Sequence, residues 1–286
     1  MKKYLLLTAI AFTCFGFSGE KKAYAIYDAT GKASSYDEML KSAKEADIVL
    51  FGEYHDNPIC HWLELELTKD LYAAKKEHLV MGAEMFEADD QVILNEYLRG
   101  VISEKTFKDE AKLWGNYETD YKPLVEFAKT NKVKFVADNI PRRYANMVYN
   151  RGLASLDSID NEAKKWIAPL PIKYDSTVQA YKEIFENSGG HGGQNLPKSQ
   201  AVKDATMSYF ILQNFKSGDT FIHYNGAYHS NNHSGIAWYL KQSNPKLKIM
   251  VISSATQENI DKLDDESKNL GEFIICVPES MTRTMQ

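Results

Sequence analysis

The chain has 286 residues, 44% of them hydrophobic and 12% aromatic, and a formal net charge of -5 at neutral pH. This composition can bury a substantial core, and it excludes a disordered or fibrous chain. The acid excess argues against a nucleic-acid partner, because phosphate binding needs clustered Lys and Arg.

At the N-terminus, Lys2-Lys3 precede an apolar core from Leu5 to Phe12. This is the form of an export signal, and it is too short to span a bilayer. The mature protein is therefore expected outside the cytoplasm. Two processing sites compete. Cys14 follows Ala11-Phe12-Thr13, an imperfect version of the small-residue pattern before a lipidated Cys, while Ala23-Tyr24-Ala25 has the small-x-small form of ordinary cleavage. Lipid on Cys14 would tether a soluble body to a membrane. Residues 1–25 are read as the export signal with its lipid-attachment option, and 26–286 as a single α/β domain.

Apolar runs of strand length follow in order. Ile48-Val49-Leu50-Phe51 leads into Gly52-Glu53-Tyr54-His55, and Leu79 to Ala83 leads into Glu84. Val133 to Ala137 leads into Asp138-Asn139, Thr220 to Ile222 into His223, and Leu247 to Ile252 into Ser253. Phe273 to Val277 predicts a last strand. The segments between them are long enough for helices. Helices are expected from Ser35 or Asp37 to Ala46, after an Asn57 N-cap with Pro58 at the first position, from Arg142 to Leu156 behind Pro141, and around Ser176–Asn187 and Lys198–Phe215. Gly189-Gly190-His191-Gly192-Gly193 reads as a loop, without the strand and Lys-Ser/Thr ending of a phosphate loop. The fold class is α/β: a mainly parallel central sheet, helices on both faces, and a helical insertion after the third of these strands.

In such sheets ligands bind beyond the carboxyl ends of the strands. Glu53, His55, Glu84, Asn139, His223 and His229 are expected to converge there, with Arg142 and Arg143 at the mouth, either binding a carboxylate-bearing ligand or pairing with Glu53 or Glu84. His223, His229 and His233 with Glu53 and Glu84 would make a mixed nitrogen and oxygen set, but the spacing is not a zinc signature and no metal is assigned. Cys60 and Cys276 are read either as a disulfide or as two isolated buried thiols.

Gly52-Glu53-Tyr54-His55-Asp56-Asn57, Glu84-Met85-Phe86, Asn139-Ile140-Pro141-Arg142, Ser199 to Met207 and Gly226-x-x-His229, taken in this order, resemble the ChaN family of haem-binding, iron-uptake lipoproteins. The resemblance spans nearly the whole mature chain. The wider superfamily includes proteins similar to erythromycin esterases and TIKI-type metalloproteases. The resemblance implies an outer-membrane lipoprotein facing the periplasm of a Gram-negative cell and anchored through Cys14. It would bind haem as a homodimer and exchange it with an outer-membrane haem receptor. It also implies iron ligation by a tyrosinate, a hard anionic oxygen suited to ferric haem. Tyr174 and Tyr181 are candidates, with His191 and Lys198 pairing with propionates, and Tyr144 and Tyr149 are rivals. The alternative is a hydrolase, esterase or metal-dependent, using Glu53, His55, Glu84 and His229.

Overall fold

The computed structural model describes residues 21–188 and 193–284. Residues 1–20 of the export signal, Cys14 among them, and His191 lie outside the described residues. Seven strands form one sheet: β1 (Ala25–Asp28), β2 (Ile48–Glu53), β3 (Leu79–Glu87), β4 (Lys134–Asn139), β5 (Thr220–Gly226), β6 (Ile249–Gln257) and β7 (Phe273–Pro278). They lie in the order β1-β7-β6-β2-β5-β3-β4. Every neighbouring pair is parallel except β1 with β7. β1 is an edge strand that the sequence pattern does not predict, since four residues are too few to display an alternation.

β2 is buried at all six positions, as a central parallel strand covered on both faces must be. Val49 and Phe51 face one core with Leu63 and Leu67, and Ile48 and Leu50 face a second with Met207 and Leu240. The first layer holds α1 (Tyr36–Glu45), α2 (Pro58–Lys75), α3 (Gln91–Leu98), α4 (Glu104–Glu110) and α5 (Lys122–Asn131). The last three were not anticipated. The helical insertion after β4 comprises α6 (Arg142–Arg151), α7 (Gln179–Asn187) and α8 (Asn195–Asn214), and α9 (Ile236–Ser243) joins α8 on the second face.

Local chemistry accounts for several boundaries. Asn57 accepts from the amides of Ile59 and Cys60 at 3.0 and 3.3 Å ahead of Pro58, and Ser35 with Glu38 forms a capping box. α6 stops at Arg151, short of the expected Leu156, because Gly152 takes a positive φ of 79° and the chain continues as a 3-10 turn. At the β4 edge the Gln91 side chain stands in for a missing strand. It donates to the Phe135 carbonyl at 3.0 Å and accepts from the Ala137 amide at 2.7 Å. Cys60 and Cys276 are free buried thiols, so of the two readings the disulfide is not formed.

Candidate functional site

The carboxyl ends of β2, β3, β4 and β5 open onto a cleft of about 890 Å³. His55 and Glu84 lie at its floor, Trp114 on one wall, and Arg142 and Lys203 on the other. A register break in the pairing of β3 with β4, between Ala83 and Glu87, aims Glu84 at β5. Its Oε2 accepts from the Gly226 amide at 2.8 Å and its Oε1 lies 3.1 Å from His229 Nε2. The other ring nitrogen of His229 holds Asp204 Oδ1, and Asp204 Oδ2 accepts from the Tyr181 hydroxyl at 2.8 Å. The result is a buried chain of carboxylate, imidazole, carboxylate and phenol.

The charges follow from this packing. Burial opposes ionisation of Glu84, but the charge and hydrogen bond of His229 overcome it and hold the carboxyl well below its ordinary range. Burial also opposes protonation of His229, yet Glu84 and then Asp204 push it up to about 9. Burial keeps Asp204 above the usual carboxylate value although His229 pulls the other way.

His55 approaches the same floor from β2. Its Nδ1 lies 2.7 Å from Glu53 Oε1, its ring packs edge-on against Trp114 at 4.8 Å, and 35% of the side chain is exposed to the cleft. Burial works against its protonation, but the hydrogen bond to Glu53 and the charge of Glu84 raise its pKa. Gly226 makes room for this approach. A Cβ there would stand 2.8 Å from His55 Cε1 and Nε2 and 3.5 Å from Glu84 Oε2. Glu53 is itself held from behind, accepting from Tyr121 at 2.9 Å and lying 2.9 Å from His61 Nδ1 through Oε2. Burial would raise the Glu53 carboxyl, but His61 and His55 hold it low.

The structure thus brings together Glu53, His55, Glu84, Asn139, Arg142 and His229. Asn139 braces the floor by donating to the Glu84 carbonyl at 2.9 Å. His223 is not part of the cleft. It is fully buried on the α8 side of the sheet, with Nε2 3.1 Å from Asp138 and Nδ1 3.1 Å from Asn225. Arg143 pairs with Asp89 at 2.7 Å rather than with Glu53 or Glu84. Among the described residues, Arg142 and Lys203 make no ion pair, unlike Lys112, which sits on Asp89 and Asp90.

The candidate tyrosines occupy different settings. Tyr181 is buried with its hydroxyl committed to Asp204, and Tyr174 packs on it at 5.7 Å although Tyr174 precedes α7. Tyr144 is half-buried under the Arg143 guanidinium, 4.5 Å from the ring centre. Tyr149 is 40% exposed. Lys198 donates to Asn195 at 3.2 Å. Reading the sequence missed His61 and Glu64, and it took in Asp204 only as part of the Ser199 to Met207 segment, without a role. The one available signal was ionisable residues at helical spacing on helices that are apolar on more than one side.

A family model described as "Haem-binding uptake, Tiki superfamily, ChaN" matches residues 39–240. Among solved structures, a ChaN of Campylobacter jejuni with cofacial haem binding superposes with a TM-score of 0.65 at 19% identity, covering 88% of this chain and 96% of that one. An erythromycin esterase mutant in its open conformation covers 90% of this chain and 83% of its own with a TM-score of 0.44 at 10% identity, too low to carry an argument. The Protein RETICULATA-RELATED 5, chloroplastic, of Arabidopsis thaliana is 25% identical over 188 residues, covering 60% of this chain, which spans a quarter of that protein's length.

Proposed function

The chain belongs to the ChaN haem-binding uptake family of the Tiki superfamily, and from that premise we propose that it binds ferric haem through a tyrosinate, as a dimer, in iron acquisition. The observation that carries the reading is the family match, because it runs from α1 to α9 and so includes the cleft and the insertion beside it.

α6 carries Arg142, Asn146 and Tyr149 at positions i, i+4 and i+7, hence on one stripe. The first two line the cleft and the third is exposed. Arg142 and Tyr149 are separated by about 10 Å along the helix. A porphyrin laid over this stripe would present propionates to Arg142 and Lys203, whose charges are not taken up by ion pairs among the described residues. Its iron would meet Tyr149. Tyr181 is the weakest of the four candidates, since its hydroxyl already serves Asp204. The open side of such a haem would face a second copy of the chain, with Lys198 near the same edge.

Anchoring through Cys14 is the processing route that leaves the sheet intact. Ala25 pairs with Cys276 in β1, so cleavage after Ala25 would remove the first residue of an edge strand. The lipoprotein would then hold its domain on a tether at the outer membrane, facing the periplasm, with a haem receptor as its exchange partner. The hydrolase alternative drawing on Glu53, His55, Glu84 and His229 is the less favoured reading.

The test is a ferric haem titration of the mature domain followed by visible absorption. A saturable shift at one haem per chain with a high-spin tyrosinate charge-transfer band, lost in Tyr149→Phe and kept in Tyr181→Phe, is the expected result. No saturable shift would overturn haem binding. A band that survives Tyr149→Phe but not Tyr144→Phe or Tyr174→Phe would move the ligand.

A further inference from the structure

Behind His55 lies a second cluster that haem binding does not use. We propose that Glu53, His61 and Glu64 form a binding site for a divalent first-row metal cation, separate from the Glu84 and His229 side of the crevice.

One oxygen from each carboxylate and one nitrogen of the imidazole lie within 4.8 Å of one another, and all three residues are buried. The His61 ring is oriented from outside the trio: its Nε2 lies 3.1 Å from the His55 carbonyl, which can only accept. With that proton on Nε2, Nδ1 presents a lone pair toward the carboxylates. A ring nitrogen donating to a main-chain carbonyl while its partner faces acidic oxygens is the arrangement by which proteins orient a metal-binding His. Both carboxylates address this one nitrogen, Glu53 Oε2 at 2.9 Å and Glu64 Oε2 at 3.2 Å.

The second observation is independent of the clustering. Glu53 Oε2 and Glu64 Oε1 are fully buried and have no hydrogen-bond donor. Glu53 Oε2 is close to His61 but outside hydrogen-bonding geometry, and its sister Oε1 is already occupied by His55 and Tyr121. Two buried carboxyl groups with unpartnered oxygens are costly unless a cation or a shared proton sits between them. A divalent cation would neutralise both and take His61 as a neutral ligand. One imidazole nitrogen with carboxylate oxygens is a borderline set that suits zinc, manganese or ferrous iron better than magnesium or calcium. The cleft reaches the trio at His55, whose half-exposed ring is the cover over Glu53.

The competing occupant is a proton. His61 would then be an imidazolium, and Glu64, pushed well above its ordinary value by burial and by the charge of Glu53, would stay a neutral acid.

The experiment uses the haem-free full chain, loaded separately with Zn2+ or Mn2+, dialysed, and measured for metal by plasma mass spectrometry and for melting temperature. The expected result is one retained equivalent of one of the two ions and a melting temperature that falls by about 5 °C with chelator and recovers on reloading. The equivalent should be lost in Glu64→Gln and His61→Gln and kept in His78→Asn, a change at an exposed histidine outside the crevice. A chain that retains neither ion and whose melting temperature ignores chelator overturns the site, as does an equivalent that survives Glu64→Gln or disappears in His78→Asn. If Glu64→Gln does not fold, the reversible chelator shift of the unsubstituted chain decides. The haem absorption bands report the haem reading separately, so either can fail without the other.

Discussion

The crevice holds two clusters of the same composition, one imidazole with two carboxylates, wired differently. In the β3 and β5 cluster, Glu84 and Asp204 take opposite nitrogens of His229, and their remaining oxygens are satisfied by the Gly226 amide and the Tyr181 hydroxyl. In the β2 cluster, Glu53 and Glu64 crowd the same nitrogen of His61 and leave two oxygens without a donor. The first is complete with one proton on each nitrogen of the ring. The second is not, and the difference shows that burial of carboxylates is tolerated by how their oxygens are apportioned, not by the number of charges.

The substitution expected to break the comparison most strongly is His229→Ala. It would strand Glu84 and Asp204 in the interior, and denaturant unfolding should show a loss of about 3–5 kcal/mol, the penalty for an uncompensated buried charge. A loss no larger than that of an exposed substitution would mean that the chain of four groups is not coupled. Tyr181→Phe comes next, with about 1.5–3 kcal/mol expected because it leaves the buried Asp204 oxygen unmet. Gly226→Ala should cost about 1 kcal/mol, since the half-exposed His55 ring, 2.8 Å from the new methyl, can swing toward the cleft. Its further signature is a His55 resonance that titrates nearer its ordinary value.

The pH dependence sharpens the same contrast. His229 in the fold is pushed up to about 9 from the ordinary imidazole value of about 6.5. A raised pKa contributes stability that is fully present below the unfolded value and is lost as pH rises through the folded one. Stability should therefore decline between about pH 6.5 and 9, and His229→Gln should reduce the slope of that limb without abolishing it, because neighbouring carboxylates also raise His61, His55 and His223. An undiminished slope in the variant would place the titration elsewhere. The smallest stability effect belongs to Tyr149→Phe, within about 0.5 kcal/mol because the residue is exposed, while the haem spectrum should change most there.

Much of this molecule was readable from residue order. Six of the seven strands announce themselves, because a parallel strand covered on both faces must be a continuous apolar run. The polar residue after such a run falls at the sheet edge where ligands bind, which is why Glu53, Glu84 and Asn139 could be named and why His55 could be read just beyond Glu53. The same rule misplaced His223. It lies within β5, and the pleat turns it under the sheet toward α8, whereas His229 lies past the end of the strand, on a turn that brings it back over Glu84. Residue order carries the period of a strand but not where pairing with its neighbour ends.

Tertiary packing alone decided the rest. Asp204, His61 and Glu64 sit on helices where a charged residue normally faces water, and only the burial of α2 and α8 on several sides turns them inward. Whether Tyr181 or Tyr149 has a hydroxyl to spare likewise depends on a partner 23 residues away in one case and on solvent in the other. Sequence determined the strands and the polar residues at their ends through periodicity, which is local. The sharing of protons and charges among buried groups is set by distances between segments far apart in the chain, and those exist only once the sheet and its two helical layers have closed.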